Sequence, residues 1–149
     1  MPVRSSRTAT PKAQDVTTAV LRTADELRRR VAAALTPHGV TSQQYNVLRI
    51  LRGAHPSSLP TLEVAARMIE QAPGVTRLLD RLEAMGRARR ERGADDRRLV
   101  ECVVTDAGLA LLAELDEPID RVNQQAVRSL GAADRRSLLH LLNQMRGDG

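Results

Sequence analysis

Aromatic side chains are almost absent from this chain: there is no Phe, no Trp, and one Tyr, Tyr45. Readers of single-stranded nucleic acid stack bases on aromatic platforms, so RNA-recognition and OB-type modules are excluded. One cysteine, Cys102, leaves no internal disulfide and no thiolate cluster for zinc, and it is compatible with a reducing, cytoplasmic location. No uninterrupted apolar run reaches the roughly 18 residues that a membrane helix needs. Chemistry is missing too. No Ser/His/Asp or Cys/His constellation, phosphate-cradling glycine loop or catalytic carboxylate pair can be assembled, so neither an enzyme nor a cofactor is expected.

What the chain has is arginine. Of its 23 basic residues only Lys12 is a lysine, and the formal net charge is +5. Arginine forks suit phosphates and guanine edges, although a GC-rich genome produces the same usage. The balance favours a polyanionic partner. A length of 149 residues suffices for one cored domain, or for a small domain whose helical extensions complete their core against a partner.

Residues 1–12 are rich in Arg, Ser, Thr and Pro without an apolar stretch, and a disordered tail is expected there. From about Asp15 to Leu35, apolar residues at Val16, Val20, Ala24, Leu27, Val31 and Ala34 paint one helical stripe, which Thr36, Pro37 and Gly39 end. Thr41 and Gln44 form a capping box for a helix burying Tyr45, Leu48, Ile50 and Leu51. A short strand fits near Ser58 and Leu59. At the far end, Leu112, Leu115, Ile119, Val122 and Ala126 step along a long helix bent at Pro118, and Leu138, Leu141, Leu142 and Met145 form the inward face of a last one. Residues 13–36 and 106–146 therefore read as helices whose stripes the middle module cannot cover, and a second copy of the chain is expected to cover them.

The middle module, residues 41–105, carries the function. Leu62, Ala65, Ala66 and Ile69 are expected inward on a short supporting helix, and Glu70, Gln71 and Ala72 make the turn. Pro73 suits the first position of the next helix, having no N–H to waste there. Val75, Leu78, Leu79 and Leu82 face the core, which turns Thr76, Arg77, Asp80 and Arg81 outward, and Gly86 closes the helix in the left-handed conformation. Residues 87–92 and 99–104 alternate as antiparallel strands around a charged tip, in which Asp96 is placed to hold Arg98 rigid. The fold class is mostly α with a small β-wing: a winged helix-turn-helix with helical extensions at both ends.

The run from Val75 to Gly86, followed by Arg90, Asp96-Arg97-Arg98 and Val104-Thr105-Asp106-Ala107-Gly108, resembles the signature of MarR-type bacterial regulators, and the resemblance extends from Asp15 to Met145. It implies a homodimer on a pseudo-palindromic operator in double-stranded DNA, acting as a repressor and released by a small-molecule effector. Pro73, Gly74, Thr76, Arg77 and Arg81 would face the major groove. The wing set is Arg90, Arg92, Asp96, Arg97 and Arg98, with Arg98 in the minor groove. Arg87 departs from the family, which places an apolar residue after the closing glycine, so the packing of the first wing strand is in question. Redox-sensing members use a cysteine in the N-terminal helices, and Cys102 on the wing does not match.

Plainer readings stand beside these. Arg28-Arg29-Arg30 reads as a solvated helix face, Cys102 as a small buried hydrophobe, and Asp95, Asp96 and Glu91 lack the further ligands a metal requires. His38, His55 and His140 are isolated. Tyr45 is either a packed residue or, with His38 or Arg22, part of an effector pocket. The alternative function is a winged helix used for protein contacts, distinguishable because it would show neither salt-sensitive nor sequence-selective DNA binding.

Overall fold

The computed structural model describes residues 9–70 and 74–148. Helix α1 spans Ala13–Leu35, a short 3-10 turn Thr36–His38, α2 Ser42–Ala54, strand β1 Leu59–Pro60, α3 Thr61–Arg67, α4 Val75–Ala84, β2 Ala88–Arg92, β3 Val100–Val104, α5 Asp106–Ala126 and α6 Ala132–Arg146. The strands form an antiparallel sheet in the order β1-β3-β2, with Leu59 and Arg90 both opposite Cys102. Most of the expected tail, residues 1–8, and Gln71, Ala72 and Pro73 lie outside the described residues. Among the described residues no helix is long and apolar enough to cross a membrane.

Local chemistry builds the junctions. The capping box closes as expected: the Gln44 N–H donates to Thr41 Oγ1 and the Thr41 N–H to Gln44 Oε1, both at 3.1 Å. At the end of α4 the Arg87 N–H reaches the Leu82 carbonyl at 2.8 Å and the Gly86 N–H reaches Glu83 at 2.9 Å. This is a Schellman closure, and it requires the φ of +70° that Gly86 adopts. The next junction follows at once. Thr105 caps α5 by accepting from the Gly108 N–H, and its hydroxyl donates to the Gly86 carbonyl at 2.6 Å. The end of α4, the first wing strand and the start of α5 are thereby tied at one point.

The core gathers Leu35 from α1, Val47, Leu48 and Leu51 from α2, Leu79 and Leu82 from α4, and Leu112 and Leu115 from α5, each essentially fully buried. One sequence expectation fails here. On α3 the inward residues are Val64, Ala65 and Met68, whereas Leu62 is 80% and Ile69 77% exposed. The helix has seven residues, and Met68 turns back into the core from an extended backbone, so the true face is rotated from the expected one. On α6 no residue is buried within the chain, and Leu138, Leu139, Leu141 and Met145 stand exposed.

Candidate nucleic-acid interface

Helix α4 presents two faces. Val75, Leu79 and Leu82 are buried, and Thr76, Arg77, Asp80 and Arg81 are exposed, as the helical period demands. Gly74 takes φ +108° at the N-cap and, having no side chain, leaves the first turn without a side-chain cap. Among the described residues Arg77 and Arg81 have no ion-pair partner, so their charge is available to solvent or a ligand.

The wing tip is preorganised. Asp96 Oδ1 accepts from the Arg98 N–H at 3.0 Å and from Nε at 3.2 Å, and Oδ2 accepts from Nη2 at 3.3 Å. These bonds, the side-chain ones first, hold the Asp96 carboxyl below its usual range. The Arg98 side chain is nevertheless 91% exposed. A guanidinium braced on one side and open on the other can enter a groove with less loss of side-chain freedom. Elsewhere in the tip, Arg92 Nη1 donates to the Arg97 carbonyl at 3.3 Å, and the Arg97 side chain is exposed.

Arg90 has a different environment from the other wing arginines. Its Nη2 lies 2.6 Å from Asp80 Oδ1 and 3.0 Å from Glu83 Oε1, and its backbone N–H donates to Glu83 Oε2 at 2.8 Å. The backbone bond and then the side-chain bond from Arg90 keep the Glu83 carboxyl below its usual range. With two carboxylates on one guanidinium, Arg90 is neutralised locally and fastens β2 to α4. The Arg87 side chain is half-buried, and its Nη1 is buried without a partner among the described residues. Sequence reasoning missed Glu83. The available signal was acidic residues at Asp80 and Glu83, one helical turn apart, beside a strand bearing Arg90.

Helix and wing meet. Thr76 and Leu79 of α4, Arg90 and Arg98 of the wing, and Leu62 of α3 all line one open depression of about 340 Å³. Thr76 and Arg98, from segments far apart in sequence, therefore share one face. Pro73 lies outside the described residues.

A second cavity, of about 370 Å³, lies between α1, α2, α5 and the end of α3. Tyr45 lines it and is itself buried, with the Arg49 guanidinium 5.7 Å from its ring centroid. His38 and Arg22 do not join it: His38 Nδ1 is 3.9 Å from Glu114 Oε2, and Arg22 lines a separate surface depression with Gln14 and Asp15. Arg28 and Arg49 take their place.

No protein-family model matches the chain. It is 33% identical over 130 residues to the HTH-type transcriptional regulator TtmR of Methylorubrum extorquens, a match covering 87% of this chain and 65% of that one, so it spans slightly under two thirds of the relative. Further curated relatives are repressors. A MarR transcription factor from Planctomyces limnophilus superimposes with a TM-score of 0.69 at 34% identity, over 91% of this chain and 98% of that chain. Bordetella bronchiseptica BpsR, whose DNA binding is regulated by 6-hydroxynicotinic acid, gives a TM-score of 0.76 at 25% identity over 89% of this chain and 98% of its own.

Proposed function

The chain belongs to the MarR family of transcriptional regulators, and we propose that it represses transcription as a homodimer on a pseudo-palindromic operator and lets go when a small-molecule effector binds. The observation that carries this reading is the shared face of Thr76 and Arg98. The first turn of a recognition helix beside a braced, exposed wing arginine is what simultaneous major- and minor-groove reading requires. Arg77 is the base-reading residue in this scheme, Thr76, Gly74, Pro73 and Arg81 flank it, and Arg92, Arg97 and Arg98 serve the wing.

Support for the dimer comes from α1 and α6. Leu21 is 69% exposed and Leu139 61%, beside Val16, Leu138, Leu141 and Met145. Covering each such side chain contributes about 1.5–3 kcal/mol, and a second copy of the chain can cover both helices by twofold symmetry. Light scattering is expected to return twice the 16.3 kDa of one chain. A single-chain mass at micromolar concentration would contradict the dimer. Two recognition helices would then meet half-sites about one helical turn, roughly 34–36 Å, apart.

Salt titration tests the DNA reading. Affinity for a selected duplex should fall on a log–log plot with a slope of about −0.9 per phosphate neutralised. Arg90 supplies an internal comparison. Because its charge is committed to Asp80 and Glu83, Arg90→Ala should weaken binding by letting the wing drift while leaving that slope unchanged. A slope shallower by about one phosphate would instead make Arg90 a backbone contact.

The cavity beside Tyr45 supports the effector. Its volume is in the range of small-ligand sites, and the regulation of BpsR by 6-hydroxynicotinic acid is a precedent in a relative.

A further inference from the structure

Apolar side chains stand exposed beside the arginines of the wing. Leu62 of α3, with Leu99 and Val100 at the start of β3, is open to solvent, and all three line the depression that Thr76 of α4 and Arg98 of the wing also line. Packing within the chain does not account for them, since α3 gives Val64 and Met68 to the core and leaves Leu62 out. An exposed aliphatic cluster of this kind on a binding face marks a place where a ligand supplies the missing cover.

The polar groups of the same depression are already engaged. The Thr61 hydroxyl donates to the Val100 carbonyl at 3.2 Å, and Arg90 is held by Asp80 and Glu83. What lies between Thr76 and Arg98 is therefore an apolar floor. A phosphate laid on it would give up water and gain no donor.

The occupant follows from the DNA reading, on which this inference rests. With the first turn of α4 in a major groove and Arg98 in the adjacent minor groove, the strand dividing the two grooves has to cross the surface between Thr76 and Arg98. That strand alternates phosphates with deoxyriboses, and the sugar is the part whose C–H surface an aliphatic floor can cover. The depression, about 340 Å³ and open on one side, has room for a furanose ring. We propose that Leu62, Leu99 and Val100 seat one deoxyribose of the dividing strand in each half-site, a contact that adds affinity without charge, ignores base sequence and rejects ribose. Rejection comes from desolvation: a 2′-hydroxyl pressed onto this floor loses its water and finds no partner.

The seat is tested on the duplex that the wild-type protein selects from a random pool and on a scrambled duplex of the same composition. Leu62→Ala is expected to weaken both by the same factor, about fivefold to tenfold, as loss of apolar cover implies, with the slope of log affinity against log salt unchanged. Val100→Thr, which keeps the shape of the side chain and adds a hydroxyl, should act in the same direction. Ribonucleotides are then placed one at a time along the selected duplex. At one position per half-site wild type should lose about threefold to tenfold, and Leu62→Ala should lose little more than it already has. A change of sugar pucker would act on both proteins alike, so the difference between them is diagnostic. Equal unfolding midpoints for wild type and Leu62→Ala are expected of a residue outside the core and exclude loss of structure as the cause. No sensitive position, or a ribose penalty equal in the two proteins, overturns the seat. So does a Leu62→Ala loss confined to the selected duplex and reproduced by exchanging one thymine for uracil, which would make Leu62 a reader of a thymine methyl group. If wild type binds neither duplex, the DNA reading falls and the seat with it; if wild type binds and Leu62→Ala binds equally well, the seat alone falls.

Discussion

Replacing Arg77 with alanine is expected to remove most of the discrimination between operator and random duplex while leaving the fold intact. The side chain is exposed in the first turn of α4 and has no ion-pair partner among the described residues, so its removal leaves no buried group unsatisfied. A bidentate arginine on guanine is worth about 1–3 kcal/mol of discrimination per half-site, roughly 5- to 150-fold. Arg81, one turn further along, should behave otherwise. Its loss is expected to weaken all duplexes alike and make the salt slope shallower, the mark of a phosphate contact. Competition binding with a panel of single-base operator variants separates the two. A uniform loss across the panel for Arg77→Ala would move Arg77 to the phosphate backbone and leave base reading to another residue.

The largest loss of stability is expected from the smallest change. A Cβ added at Gly108 would strike the Arg87 carbonyl oxygen and come within 2.7 Å of Val104 Cγ2. The obstruction on one side is backbone, which cannot swing away. That backbone is also where the Thr105 N–H bonds the Arg87 carbonyl at 3.2 Å and the Thr105 hydroxyl bonds Gly86. Gly108→Ala should therefore push the start of α5 off the junction of α4 and β2, costing about 3 kcal/mol or more. Denaturant unfolding followed by circular dichroism measures it. Gly53→Ala is the control: it lies inside α2 with nothing within 4 Å of the added atom, so helix propensity alone should stabilise the protein by up to about 1 kcal/mol. Equal behaviour of the two variants would show that the close approach at Gly108 is relieved by a small shift. Because the same junction carries the wing, Gly108→Ala should lose duplex affinity well below its melting temperature.

Features governed by neighbours in the chain were legible before any coordinates. The Thr41–Gln44 box, the left-handed closure at Gly86, the outward set on α4 and the brace from Asp96 to Arg98 each depend on residues at most a few positions apart. The expected face of the supporting helix, Leu62, Ala65, Ala66 and Ile69, holds only at Ala65, because seven residues make two turns, over which that set and Val64/Ala65/Met68 are equally good stripes. Packing against α2 and α4 decides between them, and it chooses Val64 and Met68.

Charge partners followed the same division. Arg90 and Arg98 look alike in sequence, two arginines in one basic hairpin. Asp96 is two residues from Arg98, so their pairing is local and leaves the guanidinium open to solvent; Asp80 and Glu83 come to Arg90 only because the Gly86 turn folds β2 back along α4. Likewise Arg28 and Glu70, 42 positions apart, meet across a cavity that no periodicity announces. Short-range hydrogen bonding and helical period were enough to specify the elements and their outward faces, since both act within a turn or two of the chain. Which arginines remain free to meet DNA, and which are already held by carboxylates, was settled only when distant segments closed on one another, because an ion pair depends on separation in space and not along the chain.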